Sequence, residues 1–77
     1  MKPRIINVIE LTDSTIQSVN SFIINNETEE KEKVKEAEDL FSAKAKENGL
    51  GDNDVDFHLE EGSFKNDNYS VFLTWSE

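Results

Sequence analysis

Chemistry in this chain is confined to one stretch, "DNDVDFHLEEGS", residues 52–63. Asp52, Asp54 and Asp56 alternate there, Glu60 and Glu61 follow, and the only histidine, His58, sits among them. Alternating acids suggest a calcium loop, which needs oxygen ligands at positions 1, 3 and 5, a glycine at 6 and a bidentate glutamate at 12. Counted from Asp52, positions 1, 3 and 5 match. Position 6 is Phe57, which does not make the sharp turn, and position 12 is Ser63, which does not chelate a cation bidentately. The same acids serve a short helix better: Asp52 or Asn53 as N-cap, Asp54 and Asp56 in the first turn, and Val55 and Leu59 on one face. The spacing predicts a helix over about 53–61, ended by Gly62, and neither a metal nor a cofactor. His58 has Asp54 at i−4 and Glu61 at i+3, within reach on one helix face. A single-histidine metal or acid–base site is one reading of that trio, and a surface imidazole beside carboxylates is the simpler one.

The elements that must position these residues are legible from periodicity. Residues 4–11, "RIINVIEL", and 15–24, "TIQSVNSFII", are rich in β-branched side chains and flank the turn-forming Thr12-Asp13-Ser14-Thr15, which predicts a β-hairpin. Over 27–48 the period changes: Val34, Ala37, Phe41 and Ala45 form a helical stripe with Leu40 beside them. Asn26 and Glu29 make an approximate capping box, Glu27, Glu29 and Glu30 suit the positive helix start, and Lys44 and Lys46 suit its negative end. Asn48-Gly49 is a stop signal. In the tail, "NDN" marks a turn, with Phe64 and Lys65 a short extended piece before it. Tyr69, Val71, Leu73 and Trp75 then alternate with Ser70, Phe72, Thr74 and Ser76, the pattern of a strand.

These segments predict one α+β domain over 1–77, in two layers and the order β-β-α-α-β. Its three-stranded antiparallel sheet has the order 2-1-3, with one long and one short helix on one face. "LTDSTIQSVNSF", "AEDLFSAKAKENG" and "YSVFLTWSE" together resemble a group of small acidic proteins of bacteria and their phages. In that group a "TDG"-like hairpin, an "AExLF" helix and a closing "YxVxL" strand recur. Residue 14 is serine here where glycine is common, and serine is less suited to a tight mirror-type turn. The resemblance implies the fold and no particular activity.

Composition narrows the function. There are 8 Lys and Arg against 17 Asp and Glu, a formal net charge of −9. Such a chain repels nucleic acids and anionic membranes at long range. Its basic residues lie mostly among acids along 27–48 and make a mixed solvated face, with no stripe to track a phosphate backbone. There is no cysteine, hence no disulfide or thiolate chemistry. The first residues lack the pattern of a signal peptide, and the absence of cysteine fits the cytoplasm, which is the expected location.

A two-layer domain covers one face of its sheet. With a two-residue loop at Asp13-Ser14, Leu11 pairs with Ile16, Ile9 with Ser18, Asn7 with Asn20 and Ile5 with Phe22. Val8 and Val19 are then at the centre of the face beneath the helices. The opposite face carries Ile5, Asn7, Ile9, Ile16, Asn20, Phe22 and, from the last strand, Phe72. A face so apolar calls for a protein partner or a weak homodimer. The leading expectation is therefore a small non-enzymatic interaction protein using this face. The alternative is an acidic mimic of nucleic acid that inhibits a basic nucleic-acid-binding protein, with Asp52, Asp54, Asp56, Glu60 and Glu61 as its patch. A small enzyme or ligand-binding protein built on His58 and its acids is the third.

Overall fold

The computed structural model describes residues 2–76. The chain runs β1 (Arg4–Thr12), β2 (Thr15–Ile24), α1 (Glu27–Glu47), a single 3-10 turn (Asp52–Asp54), α2 (Val55–Glu61), β3 (Ser63–Asn66) and β4 (Tyr69–Ser76). The sheet is four-stranded and antiparallel in the order β2-β1-β4-β3. This corrects the three-stranded 2-1-3 arrangement. The closing strand does lie beside β1, but the short extended piece at Phe64 and Lys65 is a full edge strand, paired with β4 through the tight Asp67-Asn68 turn. Four residues are too few to show a period of their own, and β3 exists because β4 offers it a ladder.

α1 forms where its stripe and caps predict. The Asn26 side chain accepts from the Glu29 backbone N–H (3.1 Å), and the Glu29 carboxylate returns a bond to the Asn25 N–H (2.7 Å), one residue earlier than in the usual box. At the other end Gly49 has φ +107°, Leu50 N–H donates to the Ala45 carbonyl and Gly49 N–H to that of Lys46. This is the glycine-terminated helix stop in full, with buried Leu50 folding back on buried Ala45. α2 begins differently from expectation. Neither Asp52 nor Asn53 caps it; Asp54 holds that position without a side-chain capping bond, after a 3-10 turn entered from Gly51. Gly62 ends it in the left-handed region.

The core lies between the helices and one sheet face. Ile6 and Val8 of β1, Ile24 of β2, Tyr69 and Val71 of β4 and Phe64 of β3 meet Ala37, Phe41 and Ala45 of α1. Two polar ties lock the layers. The Arg4 guanidinium reaches Glu30 at 2.6 Å and lies over the Trp75 ring at 4.3 Å. Glu10 accepts from Ser18 (2.7 Å) and from the Tyr69 hydroxyl (2.6 Å), with Lys44 of α1 at 3.5 Å.

The hairpin corrects the expected register. Asp13 and Ser14 both adopt positive φ, 54° and 64°, so serine does enter the mirror-type turn, and Leu11 pairs with Ile16. The next pair is Glu10 with Ser18: Gln17 bulges out of β2. Beyond the bulge every β2 side chain is on the face opposite to that of an unbroken ladder. Ile6 pairs with Phe22 and Arg4 with Ile24, which brings Ile24 to full burial and half-buries Phe22 against the core. Val19 and Ile23 turn outward instead. The exchange places the larger pair inside, and the Ser18–Glu10 hydrogen bond holds it.

Candidate functional site

The helices leave one sheet face open. Cross-strand partners share a face, so the register assigns its residues. β1 contributes Ile5, Asn7, Ile9 and Leu11; β2 contributes Ile16, Val19, Ser21 and Ile23. β4 adds Ser70, Phe72, Thr74 and Ser76, and β3 adds Ser63 and Lys65. Of the residues expected there, Ile5, Asn7, Ile9, Ile16 and Phe72 are on this face. Phe22 and Asn20 are not, because the Gln17 bulge rotates them to the helix side. Val19 and Ile23, assigned by the unbroken register to the helix side, replace them and are 54% and 52% exposed. The bulge itself has no local sequence signal, although the gain from burying Phe22 and Ile24 together, in place of Val19 and Ile23, points to it.

Across the middle of this face runs a polar belt. Asn7 accepts from Ser21 on β2 at 2.7 Å and donates to Ser76 on β4 at 3.2 Å, and it is buried by those neighbours. Both the amide oxygen and the amide nitrogen of Asn7 are thus engaged within the sheet, with apolar surface on both sides of the belt. At the hairpin end the face sinks into a shallow depression of about 520 Å³ between Leu11 and Phe72, rimmed by Lys65 and the two turns. Those turns are tied to each other: Asp13 N–H donates to the Asn68 carbonyl at 2.9 Å, and the Asn68 side chain donates to the Asp13 carboxylate at 2.8 Å. Between its turns the face has no acidic side chain among the described residues, and Lys65 is its one ionisable group. In a chain of net charge −9 the acids are therefore held on the helix layer, at the turns and along the loops.

The acidic stretch makes no such assembly. Asp52, Asp54, Asp56, Glu60 and Glu61 are all exposed along the 3-10 turn and α2, and Asp52 approaches Lys46 at 3.4 Å. No group of three or more His, Asp or Glu side chains that could hold a metal occurs among the described residues. His58 does not pair with Asp54 or Glu61. Its Nδ1 lies 3.1 Å from the Ser63 carbonyl, and its ring meets Phe57 and Phe64 edge-on at 5.1 and 5.2 Å. A carbonyl only accepts, so Nδ1 carries the proton there, and the imidazole pins the end of α2 to the start of β3. Sequence spacing placed the carboxylates within reach on an ideal helix, but the ring turned toward Phe64 and the core.

The perturbed titrations belong to the layer contact. Burial tends to raise the Glu10 pKa, but the hydrogen bonds from Ser18 and Tyr69 and the nearby Lys44 charge outweigh it, so the carboxyl sits below its ordinary range. Burial first, and then the Glu10 carboxylate, push the Tyr69 hydroxyl well up. Tyr69 accordingly stays protonated and donating. This pair cements the sheet to α1 on the side away from the open face.

No helix among the described residues is long and apolar enough to cross a membrane. The chain matches no protein-family model, no curated protein and no solved structure.

Proposed function

We propose that this chain is a small non-enzymatic cytoplasmic interaction protein that docks an apolar surface of a protein partner on its open sheet face. One observation carries the reading: the face that lacks a second layer combines aliphatic and aromatic side chains with no acid between its turns among the described residues, in a chain that is acidic elsewhere. Strands about 4.8 Å apart and about 3.3 Å per residue give four strands of this length a face of roughly 500 Å². Covering it on both partners removes on the order of 1,000 Å², the threshold of a specific interface. Lys65 at the rim favours a partner with an acidic group beside its apolar contact.

Capture from extract of the native host, with Ile9→Asp and Phe72→Asp beside wild type, tests this. Both positions lie on the open face, away from the core contacts of α1. A stoichiometric partner that survives salt, is lost with both substitutions and is retained by Asp54→Lys/Glu60→Lys supports the reading. A partner released by salt and by the charge reversal, but kept by Ile9→Asp, overturns it in favour of the acidic surface acting as a nucleic-acid mimic.

A further inference from the structure

β2 is one edge of the sheet, and its outer side is a row of main-chain donors and acceptors without a ladder. It is long, at 10 residues, where the opposite edge β3 has 4. Edge strands of this length are normally blunted by charged side chains, proline or bulges. From Ser14 to Asn26 there is neither an ionisable side chain nor a proline, although 8 basic and 17 acidic residues are spread through the rest of the chain. The Gln17 bulge protects only the hairpin end, and Ser18–Ile24 runs on as a regular strand.

We propose that this edge pairs antiparallel with β2 of a second copy of the chain, about a two-fold axis at Ser21, joining two four-stranded sheets into one of eight. Three features select a second copy. The row of backbone groups accepts only an extended strand. Two chains of net charge −9 associate only where their carboxylates are kept apart, and β2 contributes none. The nearest acid on the adjacent strand, Glu10, is turned into the helix layer and engaged by Ser18, Tyr69 and Lys44. The register follows from the faces. Pairing about Ser21 sets exposed Val19 opposite Ile23 of the second copy, twice, on the open face. Pairing about Asn20 would set Val19 opposite Ser21 and leave Ile23 opposite the bulge. A ladder of this length buries less than a standard interface, so the dimer is reversible, and salt strengthens it by screening the net charge.

Sedimentation of wild type from micromolar to millimolar concentration, at low and high salt, should show a shift from one chain to two. Amide exchange should slow over Ser18–Ile24 in proportion to the fraction paired. Ser21→Lys and Ser21→Glu provide the specific test, because each opposes like charges across the axis. Both should lose the dimer, and equal mixing should restore it. If net charge alone governed association, Ser21→Lys would dimerise more readily than wild type and Ser21→Glu less. Ser21 also holds Asn7, so each variant's fold is checked by its melting curve; if either is unfolded, wild-type amide exchange decides. A wild type that stays monomeric at millimolar concentration and high salt, a dimer that leaves Ser18–Ile24 exchange unchanged, or folded Ser21 variants that do not recover on mixing would each overturn the proposal. Phe72→Asp, two strands from this edge, should abolish docking on the open face and leave the edge dimer intact, so the two readings fail separately.

Discussion

Phe41 is the residue on which the two layers depend, and a matched pair of substitutions measures how much. It lies midway along α1, fully buried, with Ala37 and Ala45 before and behind it on the same stripe. Those alanines let the helix approach the sheet closely, and they are too small to fill the space its ring would vacate. The strands beneath are fixed by their ladders and α1 by caps at both ends, so little collapse follows. Phe41→Ala should therefore cost about 3–5 kcal/mol, the range for a buried phenylalanine that leaves a cavity. For a chain of this length total stability is about 4–12 kcal/mol, at roughly 0.05–0.15 kcal/mol per residue. The variant would be near its folding threshold, with a melting temperature at least about 12 °C lower, since each kcal/mol moves Tm by about 4–8 °C at this size. Phe57→Ala is the control: the same truncation on α2, at a residue 59% exposed whose ring meets His58 edge-on. It should cost less than about 1 kcal/mol. Urea unfolding followed by Trp75 fluorescence reads both, provided the m-values agree. A gap between the two variants smaller than about 1 kcal/mol would show that the core does not sit beneath α1.

The Glu10 cluster sets the acid limb of stability. A carboxyl with a lowered folded pKa stabilises fully above its unfolded value, near 4.5, and loses that contribution as pH falls through the folded value. Wild type should thus exceed Glu10→Gln in stability at neutral pH, and the gap should narrow below about pH 4.5; a gap that is constant with pH would remove Glu10 from the acid transition. Gly49→Ala should destabilise by more than about 1 kcal/mol, because φ there is positive and a Cβ would lie 2.7 Å from Asn66 Nδ2. That contact also displaces the bond from Asn66 to the Asn48 carbonyl, so an unchanged melting curve would mean that the helix stop tolerates a side chain.

Signals carried within a few residues of chain were readable directly. Asn26 and Glu29, the Val34–Ala45 stripe and Asn48-Gly49 determine α1 because caps, period and stop are local and mutually consistent. The alternation from Tyr69 to Ser76 determined a strand and its two faces for the same reason. What tertiary structure decided was pairing. β3 is too short to declare itself and becomes a strand only because β4 lies beside it. The Gln17 bulge has no residue type that announces it. It arises from competition between placing Phe22 with Ile24 or Val19 with Ile23 under α1, and that competition is settled by volume and by the Glu10–Ser18 bond once the layers meet. Since side chains alternate with period 2, this one inserted residue decides which half of β2 faces the open side. His58 follows the same rule at smaller scale: helical spacing set which carboxylates could reach it, and packing against Phe64 determined where the ring turned.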